Sequence, residues 1–166
     1  KSGKYTDRFN SRVIFPVNNI TGETIAFGGR IIREGKLAKY INSPETEFYT
    51  KGNVIFNLDK AKDSRSETDE VLIVEGYMDV VSVYASGIKN VIANSGTALT
   101  ERQISLIWKF FSNPIICLDG DDSGQKAALR IAEKLFPLIN EKNKIYFSIM
   151  PDAVSYTHLR AHETDS

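Results

Sequence analysis

Glu75 and Asp79 follow the run Val71-Leu-Ile-Val74, and Asp119 and Asp121 follow Ile115-Ile-Cys-Leu118. Each time a short all-apolar run breaks off into carboxylates and glycine. That is the pattern of a strand buried on both faces, hence of a parallel sheet. Open α/β sheets bind ligands in the crevice beyond the carboxyl ends of their strands. Four carboxylates gathered there repel one another, and a divalent cation with oxygen ligands relieves the repulsion. The expected chemistry is metal-dependent phosphoryl transfer. The hard ions Mg²⁺ or Mn²⁺ suit such donors and leave coordination positions open to phosphate oxygens.

The elements that must position these side chains follow an alternating pattern. After the strand 71–74, Met78, Val81 and Ala85 fall at helical spacing, with Gly87 placed as a C-terminal cap. A short strand 91–93 and the loop 94–97 come next. Thr100 and Gln103 make a capping box for a helix through Ile104, Ile107 and Phe111, stopped by Asn113-Pro114. The strand 115–118 leads to a helix capped by Asp122 with Gln125, whose Ala128, Ile131, Leu135 and Leu138 form one apolar stripe; 144–150 closes as a strand. This β-α-β-α-β-α-β order predicts a mostly parallel sheet flanked by helices.

The upstream part reads differently. Segments 12–17 and 23–27 flank the turn-rich Asn18-Asn-Ile-Thr-Gly22, which predicts an antiparallel hairpin in a smaller α+β subdomain. Gly28-Gly29 predicts a bulge or a close backbone approach, and 42–45 a loop. The charged stretch 60–70 predicts a linker or an exposed helix. The expected organisation is 1–58 for the first subdomain, 59–69 for the connection, 70–152 for the α/β domain, and an atypical tail over 153–166. The tail carries His158 and His162 without supporting ligands and is set aside as foreign or poorly ordered.

Composition sets limits. Lys+Arg and Asp+Glu both number 21, so binding to a polyanion would need a local basic patch rather than bulk charge. The single Cys117 sits inside an apolar strand and reads as a packing residue, which leaves neither a disulfide framework nor a cysteine-based zinc site. No apolar run approaches membrane-spanning length, so a cytoplasmic protein without a membrane partner is expected.

Glu75-Gly76 with Asp119-Gly-Asp121 resembles the TOPRIM domain of bacterial primases, topoisomerases and some nucleases. A lone Asp-Gly-Asp is a common surface turn; both elements at strand ends, with a β-α-β-α-β unit between, are specific. Arg12-Val-Ile-Phe-Pro-Val17, Gly22-x-x-Ile-Ala-Phe-Gly-Gly-Arg30, Lys39-Tyr-Ile-Asn-Ser-Pro-Glu-Thr46, Lys51-Gly52 and Val74-Glu-Gly-Tyr-Met-Asp-Val-Val81 resemble the catalytic core of bacterial DnaG-type replicative primases. The resemblance covers roughly residues 3–152. It implies a TOPRIM-type fold and the synthesis of RNA primers from ribonucleoside triphosphates on single-stranded DNA. It further implies a replicative helicase as partner through a domain absent here. Carried over residue by residue, it implies Glu75, Asp119 and Asp121 as catalytic metal-binding carboxylates and Asp79 as a further acidic metal position. Arg30, Lys39, Asn42 and Lys51 become the nucleotide- or template-binding group. One departure follows Pro151-Asp152, where the family has a Gly-x-Asp-Pro-Asp segment and this chain runs into Ala-Val-Ser-Tyr. The fragment alone is therefore expected to be weakly active or inactive.

Two other functions use the same residues. A TOPRIM nuclease or topoisomerase would cleave phosphodiesters, but needs a nucleophile or base that the sequence does not offer; Tyr77 reads as a local packing residue. A non-catalytic acidic-pocket module would bind a metal or phosphorylated partner. The basic positions at 30, 39 and 51 favour primer synthesis over both.

Overall fold

The computed structural model describes residues 7–33, 37–94 and 98–149. The expected loop 94–97 and closing strand 144–150 are therefore seen only in part, and Asp152 and the tail lie outside the described residues.

The first sheet is antiparallel, ordered β1 (Arg12–Asn18), β2 (Thr24–Ile31), β3 (Tyr40–Asn42). The expected hairpin is β1–β2. Gly28 and Gly29 are not bulged; the irregularity in register lies between Val17 and Asn18. The glycines instead mark close approach. A Cβ on Gly28 would lie 2.5 Å from the Tyr77 ring, and one on Gly29 would lie 2.6 Å from the Phe9 ring. The third strand places Asn42 opposite Gly28, so the expected loop begins only after it.

The second sheet is wholly parallel, ordered β5 (Val91–Ala93), β4 (Glu70–Val74), β6 (Asn113–Leu118), β7 (Tyr146–Ile149). Pro114 lies inside β6 rather than before it. Its missing N–H is tolerated because β6 pairs with β7 only from Ile115 onward. Alternate residues of β4 go to opposite faces, as the two-residue period of a strand dictates. Val71 and Ile73 join the core under α3 (Glu101–Ile107) and α4 (Asp122–Leu135), whereas Val74 joins Val80 and Val83 of α2 (Tyr77–Ala85). The face of α2 that is buried is Tyr77, Val80 and Val83, not the expected Met78, Val81 and Ala85 stripe. Apolar residues surround much of this helix, so spacing alone did not distinguish the two faces. Gly87 adopts φ +104° just past α2, as a C-terminal cap requires.

The capping box of α3 is present: the Thr100 hydroxyl accepts from the Gln103 N–H at 3.1 Å, and Gln103 Oε1 accepts from the Thr100 N–H at 3.0 Å. The helix proper stops at Ile107, short of the expected Phe111, and irregular turns carry the chain to β6. The charged connection is neither loose nor fully exposed. Helix α1 (Leu58–Ala61) begins one residue before it and runs into it, and Ala61, with Leu58 just ahead, is buried in the same core as Val71, Ile73 and Ile92. Among the described residues no helix is long and apolar enough to cross a membrane.

Phe15, Val17 and Ala26 of the hairpin are buried together with Tyr49 and Tyr77, so α2 is the lid of the first sheet's core. Gly28→Ala should destabilise the protein by about 1–3 kcal/mol, the usual penalty for overpacking, read as a lower urea midpoint at unchanged m-value. An unchanged midpoint would show that the Tyr77 ring moves aside freely.

Candidate metal and phosphate site

The order β5-β4-β6-β7 sends the chain from β4 to one side and then back across it to β6. The crevice between the carboxyl ends of β4 and β6 is thus a topological switch point, where open α/β sheets bind ligands. Glu75 leaves β4 at that crevice and Asp119 leaves β6 beside it. Asp79 and Asp121 follow at the first turns of the helices that begin there.

Each helix start uses one of these carboxylates. The Gly76 N–H donates to Asp79 Oδ2 at 3.0 Å, and the Gly124 N–H donates to Asp121 Oδ1 at 2.7 Å. Asp121, not Asp122 as the sequence pattern suggested, is therefore the N-cap of α4. Consecutive aspartates made the one-residue shift invisible from spacing. Gly124 has a further reason to be glycine: a Cβ there would lie 1.9 Å from the Asp119 carbonyl oxygen. Helix α4 consequently sits directly against the backbone that presents Asp119.

The carboxylates feel one another. Burial pushes the Glu75 carboxyl above its ordinary range, and the charges of Asp119, Asp79 and Asp121 push it further. Burial likewise raises Asp79; the Gly76 N–H pulls it back, the Asp119 charge raises it, and its own N–H and the Arg30 charge lower it. Glu75, Asp119 and Asp121 are exposed at the mouth, open to a ligand from solvent. Among the described residues no three acidic, histidine or cysteine side chains stand close enough together to hold a metal ion as they are. The donor chemistry, carboxylate oxygens alone, is nevertheless that of a hard divalent ion. Mg²⁺ is commonly held by one or two carboxylates, with waters and substrate phosphates completing its octahedron.

Arg30, on β2, is near enough to Asp79 for its charge to act, last among several influences, on that carboxyl. It also lies over the Tyr40 ring at 5.8 Å. Arg30 and Lys39 line one concavity of about 730 Å³ between the hairpin and α2, together with Val13, Leu37, Met78 and Val81. Lys51 is brought elsewhere: the Asn42 amide oxygen, in the orientation that satisfies its neighbours, accepts from Lys51 Nζ at 3.3 Å. Arg8, which sequence reasoning did not single out as a site residue, donates to the Asn42 carbonyl from Nε at 3.2 Å and Nη2 at 3.0 Å. The expected basic group thus forms two pairs, Arg30 with Lys39 and Asn42 with Lys51. Cys117 is buried in the strand, as expected of a packing residue.

With this geometry in place, comparison with known proteins is decisive. Residues 1–62 match the model of the DNA primase catalytic core, N-terminal domain, and residues 69–147 match the Toprim domain. The chain belongs to the bacterial DnaG-type primase family. It is 39% identical to the DNA primase of Pseudomonas aeruginosa over 91% of its own length, and 40% identical to that of Pasteurella multocida over 92%. It spans only 23% and 26% of those two proteins. The E. coli primase catalytic core superposes with a TM-score of 0.87 at 37% identity, over 93% of this chain and 49% of that one. A DnaG primase catalytic domain bound to single-stranded DNA gives 0.86 at 37% identity, over 95% of this chain and 50% of that one.

Two outcomes follow from the crowded carboxylates. Glu75→Gln should raise the melting temperature in metal-free buffer at neutral pH, because it removes a charge that its neighbours repel. The gain should fade as pH falls through the raised folded-state pKa of Glu75, where the wild-type carboxyl becomes neutral as well. A lower melting temperature at neutral pH would contradict this account of the electrostatics. Gly124→Ala should displace the Asp119 peptide and weaken Mn²⁺ binding about 10-fold or more, measured by electron paramagnetic resonance titration; unchanged affinity would show that Asp119 is not a ligand.

Proposed function

We propose that this chain forms part of the centre of an enzyme that makes short RNA primers on single-stranded DNA by divalent-metal-dependent nucleotidyl transfer. The observation that carries the reading is the acidic crevice at the switch point, where Glu75 feels the charges of Asp119, Asp79 and Asp121. Ribonucleoside triphosphates are the proposed substrates, and a replicative helicase the proposed partner of the whole protein.

Glu75, Asp119 and Asp121 would hold Mg²⁺ or Mn²⁺, with Asp79 behind them at the start of α2. When bound, the ion supplies a lowered hydroxyl pKa and neutralises charge on the leaving pyrophosphate oxygens. The residues of the chain do the positioning. Hydrogen bonds at the two helix starts restrain Asp79 and Asp121, and α4 fixes the Asp119 backbone. Arg30 and Lys39 offer cationic donors for triphosphate or template phosphates in the concavity against α2, and Lys51, bonded to the Asn42 amide beside Tyr77, offers another.

A topoisomerase-type reading needs an exposed tyrosine. Tyr77, the tyrosine nearest the carboxylates in sequence, is only 4% exposed, and its hydroxyl is bonded to Asn42 at 2.8 Å, which disfavours that chemistry. The test is de novo primer synthesis from labelled ribonucleotides on single-stranded DNA by the complete protein that carries this segment. Asp119→Asn and Glu75→Gln should each lower synthesis by about 10–100-fold while binding of single-stranded DNA persists. Full activity in both variants would sink the assignment. The chain by itself is expected to bind Mn²⁺ weakly and to make little primer. Vigorous synthesis by it would show that carboxylates beyond Pro151 are dispensable.

A further inference from the structure

The aromatic ring and the hydroxyl of Tyr77 do separate things. The ring lies nearly parallel to Phe15 at 5.2 Å and meets Phe56 edge-on at 4.7 Å. It also fills the space that a side chain on Gly28 would occupy. None of those contacts needs an oxygen. The hydroxyl, buried with the ring, lies 2.8 Å from the Asn42 amide. With that amide turned so that Nδ2 donates to the hydroxyl, Oδ1 faces Lys51 Nζ at 3.3 Å. Asn42 Nδ2 then also donates to the Ile41 carbonyl at 3.3 Å, while the Asn42 carbonyl is held by the Arg8 guanidinium. The Lys51 backbone is tied as well, its N–H donating to Glu45 Oε1 at 3.1 Å.

A lysine side chain on an open surface samples many rotamers, and ordering it costs up to about 2 kcal/mol of conformational entropy. Here a buried hydroxyl fixes an amide, and the amide fixes the ammonium. Tyr77 also stands two residues after Glu75, at the first turn of α2. The same side chain therefore connects the turn that presents Glu75 to the group that presents a cation.

We propose that Tyr77 is a positioning residue: through Asn42 it holds Lys51 at a set place relative to the Glu75 turn, so that the ammonium meets a phosphate of the bound nucleotide or template strand. The proposal rests on the phosphate-binding reading of Lys51 given above and adds the device that orients it.

The test uses Tyr77→Phe, which keeps the ring and removes only the hydroxyl, in the wild-type and Lys51→Ala backgrounds. Binding of a fluorescein-labelled oligo-dT is followed by anisotropy across a salt series. Competition by ATP with Mg²⁺ distinguishes a strand phosphate from a triphosphate. Tyr77→Phe should weaken the affected probe about fivefold, the order of one hydrogen bond. Lys51→Ala should weaken it and, for the strand, flatten the salt slope by about 0.7. The double variant should be no weaker than Lys51→Ala alone, since contacts acting as one unit are not additive. Asn42→Ala should reproduce Tyr77→Phe, which keeps the test decisive if the tyrosine variant unfolds. Additive losses in the double variant, or no loss in Tyr77→Phe, would overturn the proposal. If Arg30→Ala and Lys39→Ala weaken binding but Lys51→Ala does not, the proposed function survives and the role of Tyr77 falls. The variants are made in the complete protein that carries this segment, and if its wild type binds neither probe, both fall.

Discussion

The fit of the Tyr77 ring against Gly28 is the contact on which the rest of the site depends. It brings the end of the antiparallel sheet against the start of α2, one residue after the Glu75-Gly76 turn. That contact is short range and steric, since the missing Cβ is what admits the ring. Steric fits of this kind do not deform gradually, because protein interiors are packed to crystal density. The distance between cations on one sheet and carboxylates on the other is therefore set by packing, independently of whether opposite charges attract. A site with the proposed function of receiving a polyanion gains from this. Its basic side need not collapse onto its acidic side when no ligand lies between.

The acidic side is held together against its own repulsion by geometry of a different kind. Two helices begin at the crevice, and each offers backbone N–H groups and the positive end of its dipole to a carboxylate. Asp79 and Asp121 take these offers. Glu75 and Asp119 have no such donor among the described hydrogen bonds, and Glu75 is the carboxyl that its neighbours raise most plainly. The division is a physical one: two carboxylates accept hydrogen bonds that tie them to the helix starts, and two do not.

Much of this was legible from sequence because strand ends carry a strong local signal. Glu75 and Asp119 sit where apolar runs stop abruptly, and the alternation of runs gave the parallel sheet. The capping box at Thr100 was equally local. What escaped depended on contacts between distant segments or on a choice between equals. The strand Tyr40–Asn42 is short and half polar, and exists because β2 lies beside it. The buried face of α2 was misjudged because two of its faces are apolar. Asp121 and Asp122 are identical neighbours, and only the hydrogen bond to Gly124 separates them. The contact of Gly124 with the Asp119 carbonyl leaves no trace in composition or period. The bridging role of Asn42 between Tyr77 and Lys51 is of the same kind, since Tyr77 lies far along the chain from the other two.

The burial of Leu58 and Ala61 has a consequence for how the molecule comes apart. Family models divide the chain between residues 62 and 69, yet side chains from before that division complete the core beneath β4 and β5. Conversely, Tyr77 from after it completes the core of the first sheet. Each part thus donates apolar surface that the other needs in order to be dry. Two pieces related in this way share one melting transition, and amides on both sides of the division should exchange with solvent through the same global opening. The evolutionary seam and the thermodynamic unit do not coincide.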